Sequence, residues 1–421
     1  MTVTVTGLTA RDRISAATRA SRSLTRVGDA DRSAALVRIA SAIEHDADGI
    51  VAANGEDLDR GRAGGLSPAL LDRLRLDESR VAALAAGVRS VAALPDPVGR
   101  VLEERTLPNG LRVTKVSVPF GVVGAIYEAR PNVTVDIAAL ALRAGNAVVL
   151  RGGTAAERSN AALVAAMRRA LSESGLDPEV VQTLDEYGRD GATELMHARG
   201  LVDVLIPRGS AGLIQTVVAE STVPVIETGS GVVHIVLDES APVDRARDIV
   251  VNAKTQRPSV CNAVETVLVH RGAAERLVPE VVTALQRRGV TVHGDAAVQQ
   301  LAGGVVPAEE SDWETEYLSL DVAMRVVDDM DAALEHIDRY STRHTESIVT
   351  DDAASAERFL TEVDSAVVMT NASTRFTDGE QFGFGAEVGI STQKLHARGP
   401  MGVGELTTTK WLVRGDGQVR D

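Results

Sequence analysis

Apolar residues return every third or fourth position through residues 10–27, 30–53 and 78–94, so the first hundred residues read as amphipathic helices. Ser67-Pro68 offers an N-cap followed by a first-turn proline and predicts another short helix. The texture changes at Pro95-Asp-Pro97. Two alternating runs between residues 105 and 116 flank Asn109-Gly110, which predicts a β-hairpin turning through a type I′ pair. An isolated hairpin is marginal in water, so this one needs something to pack on, and residues 408–413 offer a further strand. From residue 121 the two periods alternate. Strands are predicted at 121–126, 147–150, 180–184, 201–206 and 222–226, with helices at 133–144, 155–172 and 211–219 between them. That alternation builds a parallel sheet covered on both faces, a Rossmann-like domain. After Glu227 a second α/β unit begins, with strands at 232–237, 263–270, 290–292, 347–350 and 366–369 and helices at 243–255, 273–287 and 332–339. Residues 379–404 are glycine-rich and polar and read as irregular loop.

Composition narrows the function more than the fold. At 421 residues with 44% apolar and 24% charged, the chain has the balance of a globular protein of two or three domains. Aromatics are only 3%, so the cores must be built from Ala, Val, Leu and Ile. A net charge of −15 argues against general nucleic-acid binding and against an anionic membrane surface. No apolar run approaches the roughly 20 residues that span a bilayer. The start lacks a charged leader followed by an apolar stretch, and a cytoplasmic location is expected. One cysteine excludes an intramolecular disulfide framework, and no CxxC or HExxH spacing suggests a metal site.

That one cysteine, Cys261, lies between the helix predicted at 243–255 and the strand at 263–270, and Pro258 keeps the helix from running on. A thiol on a short turn between two rigid elements is both exposed and well placed to act as a nucleophile. The competing reading is a small buried hydrophobe, which is what most lone cysteines are. Pro207-Arg208-Gly209-Ser210 follows one strand and opens a helix, where free N–H groups can hold a pyrophosphate. A glycine there is also an ordinary turn residue. No GxGxxG and no P-loop occur in the chain.

Several stretches then fall into one order: Pro119-Phe-Gly-Val-Val-Gly-Ala-Ile126, Arg130-Pro131-Asn132, Ala144-Gly-Asn-Ala-Val-Val-Leu150, Glu227-Thr-Gly229 and Cys261. This order resembles the aldehyde dehydrogenase superfamily, over roughly residues 10–415. Four blocks are similar to the branch that reduces an acyl phosphate: Tyr127-Glu-Ala-Arg-Pro-Asn-Val-Thr134, Thr255-Gln-Arg-Pro-Ser-Val-Cys-Asn262, Ala333-Leu-Glu-His-Ile337 with Ser341-Thr-Arg-His-Thr-Glu-Ser-Ile348, and Phe382-Gly-Phe-Gly-Ala-Glu-Val-Gly-Ile-Ser391. The resemblance implies an α/β fold with a Rossmann-like NADP-binding domain (1–104 and 118–228) and a catalytic cysteine domain (229–400). It also implies a small β element for oligomerisation (105–117 and 405–421). It implies NADPH-dependent reduction of L-glutamyl 5-phosphate to L-glutamate 5-semialdehyde in proline biosynthesis. A homo-oligomer is expected, with glutamate 5-kinase as a candidate partner. Cys261 would be the nucleophile, and Asn132 with the Cys261 backbone N–H would form the oxyanion hole. Without the resemblance, Asn132 is equally a turn residue after Pro131.

For the cofactor, the strand at 147–150 ends in Arg151-Gly152, where the superfamily meets the adenosine ribose. An arginine in place of the usual acid favours a 2′-phosphate and hence NADPH. Gly209 and Ser210 are the candidates for the pyrophosphate, while Glu316 matches the glutamate that holds the nicotinamide ribose; Glu227 joins the cofactor-side set. Glu316 also reads as an exposed acid in the run Asp312-Trp-Glu-Thr-Glu316. Arg130 and His344 are candidates for the anionic groups of the substrate. Alternatively, His344 caps a loop and Arg130 pairs with Glu128 or Asp136. Hydrolytic members of the superfamily carry Glu-Leu-Gly-Gly-Lys where this chain has Glu227-Thr-Gly-Ser-Gly231, and glycine-glutamine near the cysteine where it has Ser259-Val260. A hydrolytic NAD(P)-dependent aldehyde dehydrogenase is therefore the second reading, and Glu227 need not act as its base.

Overall fold

The leading segment forms five helices: α1 (Ala10–Leu24), α2 (Asp29–His45), α3 (Ala47–Ala63), α4 (Pro68–Leu74) and α5 (Glu78–Ala92). The structure, a computed structural model, describes residues 7–128 and 130–420. Ser67 caps α4 by accepting the Leu70 N–H, with Pro68 in the first turn as its sequence predicts. The single helix expected over 30–53 is two, because the chain breaks at Asp46, which leaves helical geometry at φ −92°, ψ 11°. The apolar spacing runs through Ile43 and Ile50, both fully buried, so the break leaves no mark on the hydrophobic pattern.

Next come strands β1 (Val101–Thr106), β2 (Arg112–Pro119) and β3 (Val122–Tyr127), then α6 (Pro131–Arg143), β4 (Ala147–Arg151) and α7 (Glu157–Glu173). They are followed by β5 (Val181–Thr183), α8 (Gly188–Met196), β6 (Val204–Arg208) and α9 (Ala211–Glu220). The β1–β2 hairpin forms, but its turn is not type I′. Leu107 and Leu111 pair, Gly110 N–H returns to the Leu107 carbonyl at 2.9 Å, and Gly110 has φ 87° while Asn109 is not left-handed. Pro108 fixes its φ near −65°, which suits a type I turn and forbids type I′. Gly110 then takes the left-handed position of a three-residue loop. The strand expected at 222–226 is reduced to one bridge, Leu205 to Val225, since Pro224 has no N–H to extend a ladder.

The second half runs β7 (Val233–Leu237), α10 (Val243–Thr255), β8 (Val264–His270), α11 (Ala274–Gln286), β9 (Thr291–Gly294), α12 (Ala296–Leu301), β10 (Val306–Pro307) and β11 (Asp321–Val327). It continues through α13 (Met330–Tyr340), β12 (Thr345–Val349), α14 (Ala353–Glu362), β13 (Val367–Thr370), β14 (Gly389–Ser391), β15 (Gly399–Met401) and β16 (Thr407–Arg414). β11 is absent from the sequence prediction, although it is a central strand paired to both β8 and β9. Five of its seven residues are buried and the other two half-buried, without alternation between the faces, which is the usual look of a strand inside a parallel sheet.

Contacts divide the chain into two units. The first holds the described residues up to Glu227, with Gly383–Gly389 and the chain from Met401 onward. Its four-stranded sheet has the order β5-β4-β3-β6, all parallel. α1 lies on β4 and β5, and α6 and α7 join the sheet to α2, α3 and α5. A separate three-stranded sheet, β1-β2-β16, is antiparallel and pairs β16 with β2 from Thr407↔Pro119 to Arg414↔Arg112. The second unit, Thr228–Phe382 with Ile390–Pro400, holds a seven-stranded parallel sheet of order β10-β9-β11-β8-β7-β12-β13. One face carries an aliphatic core from α10 and α11 (Val250, Leu277, Val281 and Leu285 among them), and the other carries Ile337 and Phe359 from α13 and α14. Among the described residues no helix is long and apolar enough to cross a membrane.

Candidate active site

α10 occupies the residues its periodicity predicts, and the chain then turns through Pro258 to β8. Cys261 sits half-exposed in that turn, which is closed by a hydrogen bond from Ala263 N–H to the Val260 carbonyl at 3.1 Å. Beside it, Asn262 is buried and donates to the Thr377 carbonyl at 2.7 Å. Gly231 packs against the backbone of Cys261 itself. A Cβ there would lie 1.6 Å from the Cys261 carbonyl oxygen, so no other residue fits. The Gly231 N–H donates to Glu316 Oε1 at 2.8 Å. Glu316 is thus not a solvated acid: burial pushes its carboxyl up, while the Gly231 N–H and Lys254 pull it back. The preceding residues are fixed as well, since Thr342 Oγ1 donates to the Ser230 carbonyl at 2.6 Å and accepts Val232 N–H at 3.0 Å. His344 is fully buried just before β12, with Nδ1 2.8 Å from Thr345 Oγ1.

On the first unit Asn132 is exposed in the first turn of α6, directly after the N1 proline, Pro131. Its amide donates to Asp136 Oδ2 one turn on, at 3.2 Å. Burial raises the Asp136 carboxyl to about 6, against the pull of the Asn132 amide and of Arg208. Arg130, half-buried, is the N-cap of α6, and its N–H donates to the Glu128 carbonyl at 2.7 Å. The Glu128 carboxylate is engaged elsewhere. Its Oε1 accepts both the Ser210 N–H at 3.0 Å and the Ser210 hydroxyl at 2.6 Å, at the start of α9. Gly209 lies against the same side chain, within 2.8 Å of where its Cβ would stand. At the start of α9, where an anion was expected from the sequence, a carboxylate of the chain itself takes the Ser210 donors.

Arg151 closes β4, with Nε donating to the Gly188 carbonyl at 3.1 Å. The turn after it is braced by a buried polar chain. Gly152 N–H donates to Asp185 Oδ1 at 2.6 Å, Asn160 donates to Asp185 Oδ2 at 2.7 Å, and Thr134 donates to Asn160 at 2.8 Å. Tyr127 OH completes it at 2.6 Å from Thr134 Oγ1. Gly152 is obligatory here, because a Cβ would stand 2.3 Å from Asn160. Glu227 is half-buried on the irregular segment that ends this unit. Asp185, Asn160 and the role of Glu128 are not legible in the sequence, where Asp136 figures only as a partner for Arg130. The four-residue spacing from Asn132 to Asp136 on one helix face was the signal available for the last of these.

A parallel sheet that ends in an arginine-glycine turn, and a lone cysteine on a helix-to-strand turn against an obligatory glycine, define a class. The model of the aldehyde dehydrogenase family matches residues 4–319, and this chain belongs to that family, whose members are oxidoreductases that use NAD(P). Within it, the chain is 66% identical over 407 residues to the gamma-glutamyl phosphate reductase of Clavibacter michiganensis subsp. michiganensis, covering 97% of this chain and 94% of that one. The reductase of the same name from Leifsonia xyli subsp. xyli is 63% identical over 419 residues, covering 100% and 99%. The crystal structure of gamma-glutamyl phosphate reductase from Thermotoga maritima superposes with a TM-score of 0.95 at 43% identity, covering 98% of this chain and all of that one.

Proposed function

We propose that this chain reduces L-glutamyl 5-phosphate to L-glutamate 5-semialdehyde and phosphate with NADPH, the step of proline synthesis that follows phosphorylation of glutamate. The observation that carries the reading is the placement of its one thiol, half-exposed on a turn that Gly231 and Glu316 hold from beneath. The relatives named gamma-glutamyl phosphate reductase, at 66% and 63% identity across nearly the whole chain, support the substrate.

Cys261, as thiolate, attacks the γ-carbonyl carbon, and the carbonyl oxygen takes the negative charge. Asn132 offers that oxygen one amide hydrogen while the other is held by Asp136, and the Cys261 N–H is the second donor. The C–O bond to phosphate then breaks, phosphate leaves with the electron pair, and a Cys261 thioester remains. When bound, the reduced nicotinamide supplies the hydride that brings this carbon to the aldehyde level. Asn132 and the Cys261 N–H hold the oxygen again until the carbon–sulfur bond breaks, releasing the semialdehyde and restoring the thiolate. Arg130 and His344 are assigned to the anionic groups of the substrate. Glu227 is given no role as a base.

The residues present fit the cofactor. Arg151 spends only Nε on the Gly188 carbonyl, which leaves its terminal nitrogens to a 2′-phosphate beside the cradle at Gly152. Glu316 suits the nicotinamide ribose, and Gly209 and Ser210 suit the pyrophosphate once Glu128 yields the Ser210 N–H. The β1-β2-β16 sheet is assigned to oligomerisation. Among the described residues it leaves two strand edges unpaired and Val101, Leu102, Trp411 and Val413 exposed, a combination that needs a cover. The test is coupled stoichiometry. Purified protein given L-glutamyl 5-phosphate should release one phosphate for each NADPH oxidised; NADPH oxidation without phosphate release would refute the assignment.

A further inference from the structure

Two buried charges beneath the nucleophile's turn have no part in the reaction as written. Lys254, in the last turn of α10, and Glu265, the second residue of β8, are both fully buried. Lys254 Nζ donates to Glu265 Oε2 at 2.5 Å and to the Val264 carbonyl at 3.0 Å. The chain between them is the Cys261 turn, so the pair closes that loop at its base. The other carboxylate oxygen, Glu265 Oε1, accepts the Leu318 N–H at 3.3 Å. Leu318 has φ 54°, a left-handed backbone that leucine keeps only where its surroundings hold it. Two residues before it stands Glu316, which accepts the N–H of Gly231, the residue packed on the Cys261 carbonyl.

The same ion pair is therefore tied on one side to the turn of the nucleophile and on the other to the segment that carries Glu316. Two apolar side chains would fill the space at less desolvation cost. They could not accept the Leu318 N–H or donate to the Val264 carbonyl. We propose that the Lys254–Glu265 pair is a positioning clamp that holds the Cys261 turn and the Glu316 carboxylate in one fixed relation, the thiol toward the acyl carbon and the carboxylate toward the nicotinamide ribose. This rests on the reading of Cys261 as nucleophile and Glu316 as ribose ligand.

The experiment uses Lys254→Met and Glu265→Gln in the full chain. Each should lower kcat by about 10- to 100-fold, as a misplacement of up to about 1 Å can. Each should also displace the pH profile of iodoacetamide alkylation, which reports on Cys261 alone because no other cysteine exists. NADPH should bind several-fold more weakly, whereas adenosine 2′,5′-bisphosphate, which lacks the nicotinamide ribose, should bind as it does to the unaltered chain. Wild-type kcat and alkylation in both variants would overturn the clamp, as would equal losses for NADPH and the bisphosphate, which mark general damage. Failure of the underlying reading looks different: Cys261→Ser would keep its turnover. Should neither variant fold, hydrogen exchange on the unaltered chain decides. Slow exchange at the Leu318 amide together with residues 255–263 supports the clamp, and loop-like exchange at both overturns it.

Discussion

At the scale of single residues, the proposed contact of Arg151 with a 2′-phosphate is the sharpest handle on cofactor choice. Removing a charge-assisted contact costs about 1.5–3 kcal/mol. Arg151→Ala should therefore weaken NADPH by about 10- to 150-fold and NADH far less, measured by fluorescence titration of both. Equal losses would mean that Arg151 only braces the Gly188 loop. Asp136 gives a prediction in pH. Its carboxyl is raised from an ordinary 3.8 to about 6 by burial, so the folded chain binds this proton more tightly than the unfolded one. The stability it confers is full below pH 4 and is lost as the pH climbs through about 6. Asp136→Asn, which does not titrate but still accepts the Asn132 amide, should gain in Tm over the unaltered chain between pH 4 and pH 7. A Tm difference that stays flat across this range would show that Asp136 is not so enclosed.

At the scale of elements, polar residues decide what periodicity cannot. Asn54 of α3 is fully buried; it donates to the Leu74 carbonyl at 2.8 Å and Ser159 Oγ at 3.0 Å, and accepts the Leu76 N–H at 2.7 Å. Asn54→Ala strands those groups and should cost about 2–4 kcal/mol in urea unfolding. Asn252→Ala, at an exposed position of α10, should cost under about 0.5 kcal/mol. Equal effects would contradict the account. Such residues also mark where the sequence is legible. Most of the expected helices and strands follow their apolar spacing closely, α10 to the residue and the strand after the Cys261 turn to within one residue, because Pro258 and the β-branched run after it act locally. β11 was not, because a strand buried on both faces loses its alternation, and the Asn109-Gly110 turn was misread because Pro108 overrides the pair. Lys254 and Glu265 lie eleven residues apart. Only the fold brings them together, though a lysine on the buried face of α10 was a signal in itself.

At the scale of the molecule, Asn132 and Arg151 belong to the first unit and Cys261 and Glu316 to the second. What separates an acyl-phosphate reductase from a hydrolytic relative is the partner that resolves the thioester. A hydrolytic enzyme needs water and a base, and here the lysine of the hydrolytic pattern is Gly231, which is packed on the Cys261 carbonyl. Phosphate must take the place of water. The direct test is to run the reaction backwards, with glutamate 5-semialdehyde and NADP⁺ at an enzyme concentration that makes a single turnover visible. Without phosphate, NADP⁺ reduction should stop after about one equivalent per chain and resume when phosphate or arsenate is added, and Glu227→Gln should behave alike, well short of the ~10²–10⁴-fold loss that follows removal of a general base. Steady oxidation without phosphate, abolished in Glu227→Gln, would contradict the account and place the chain among the hydrolytic dehydrogenases.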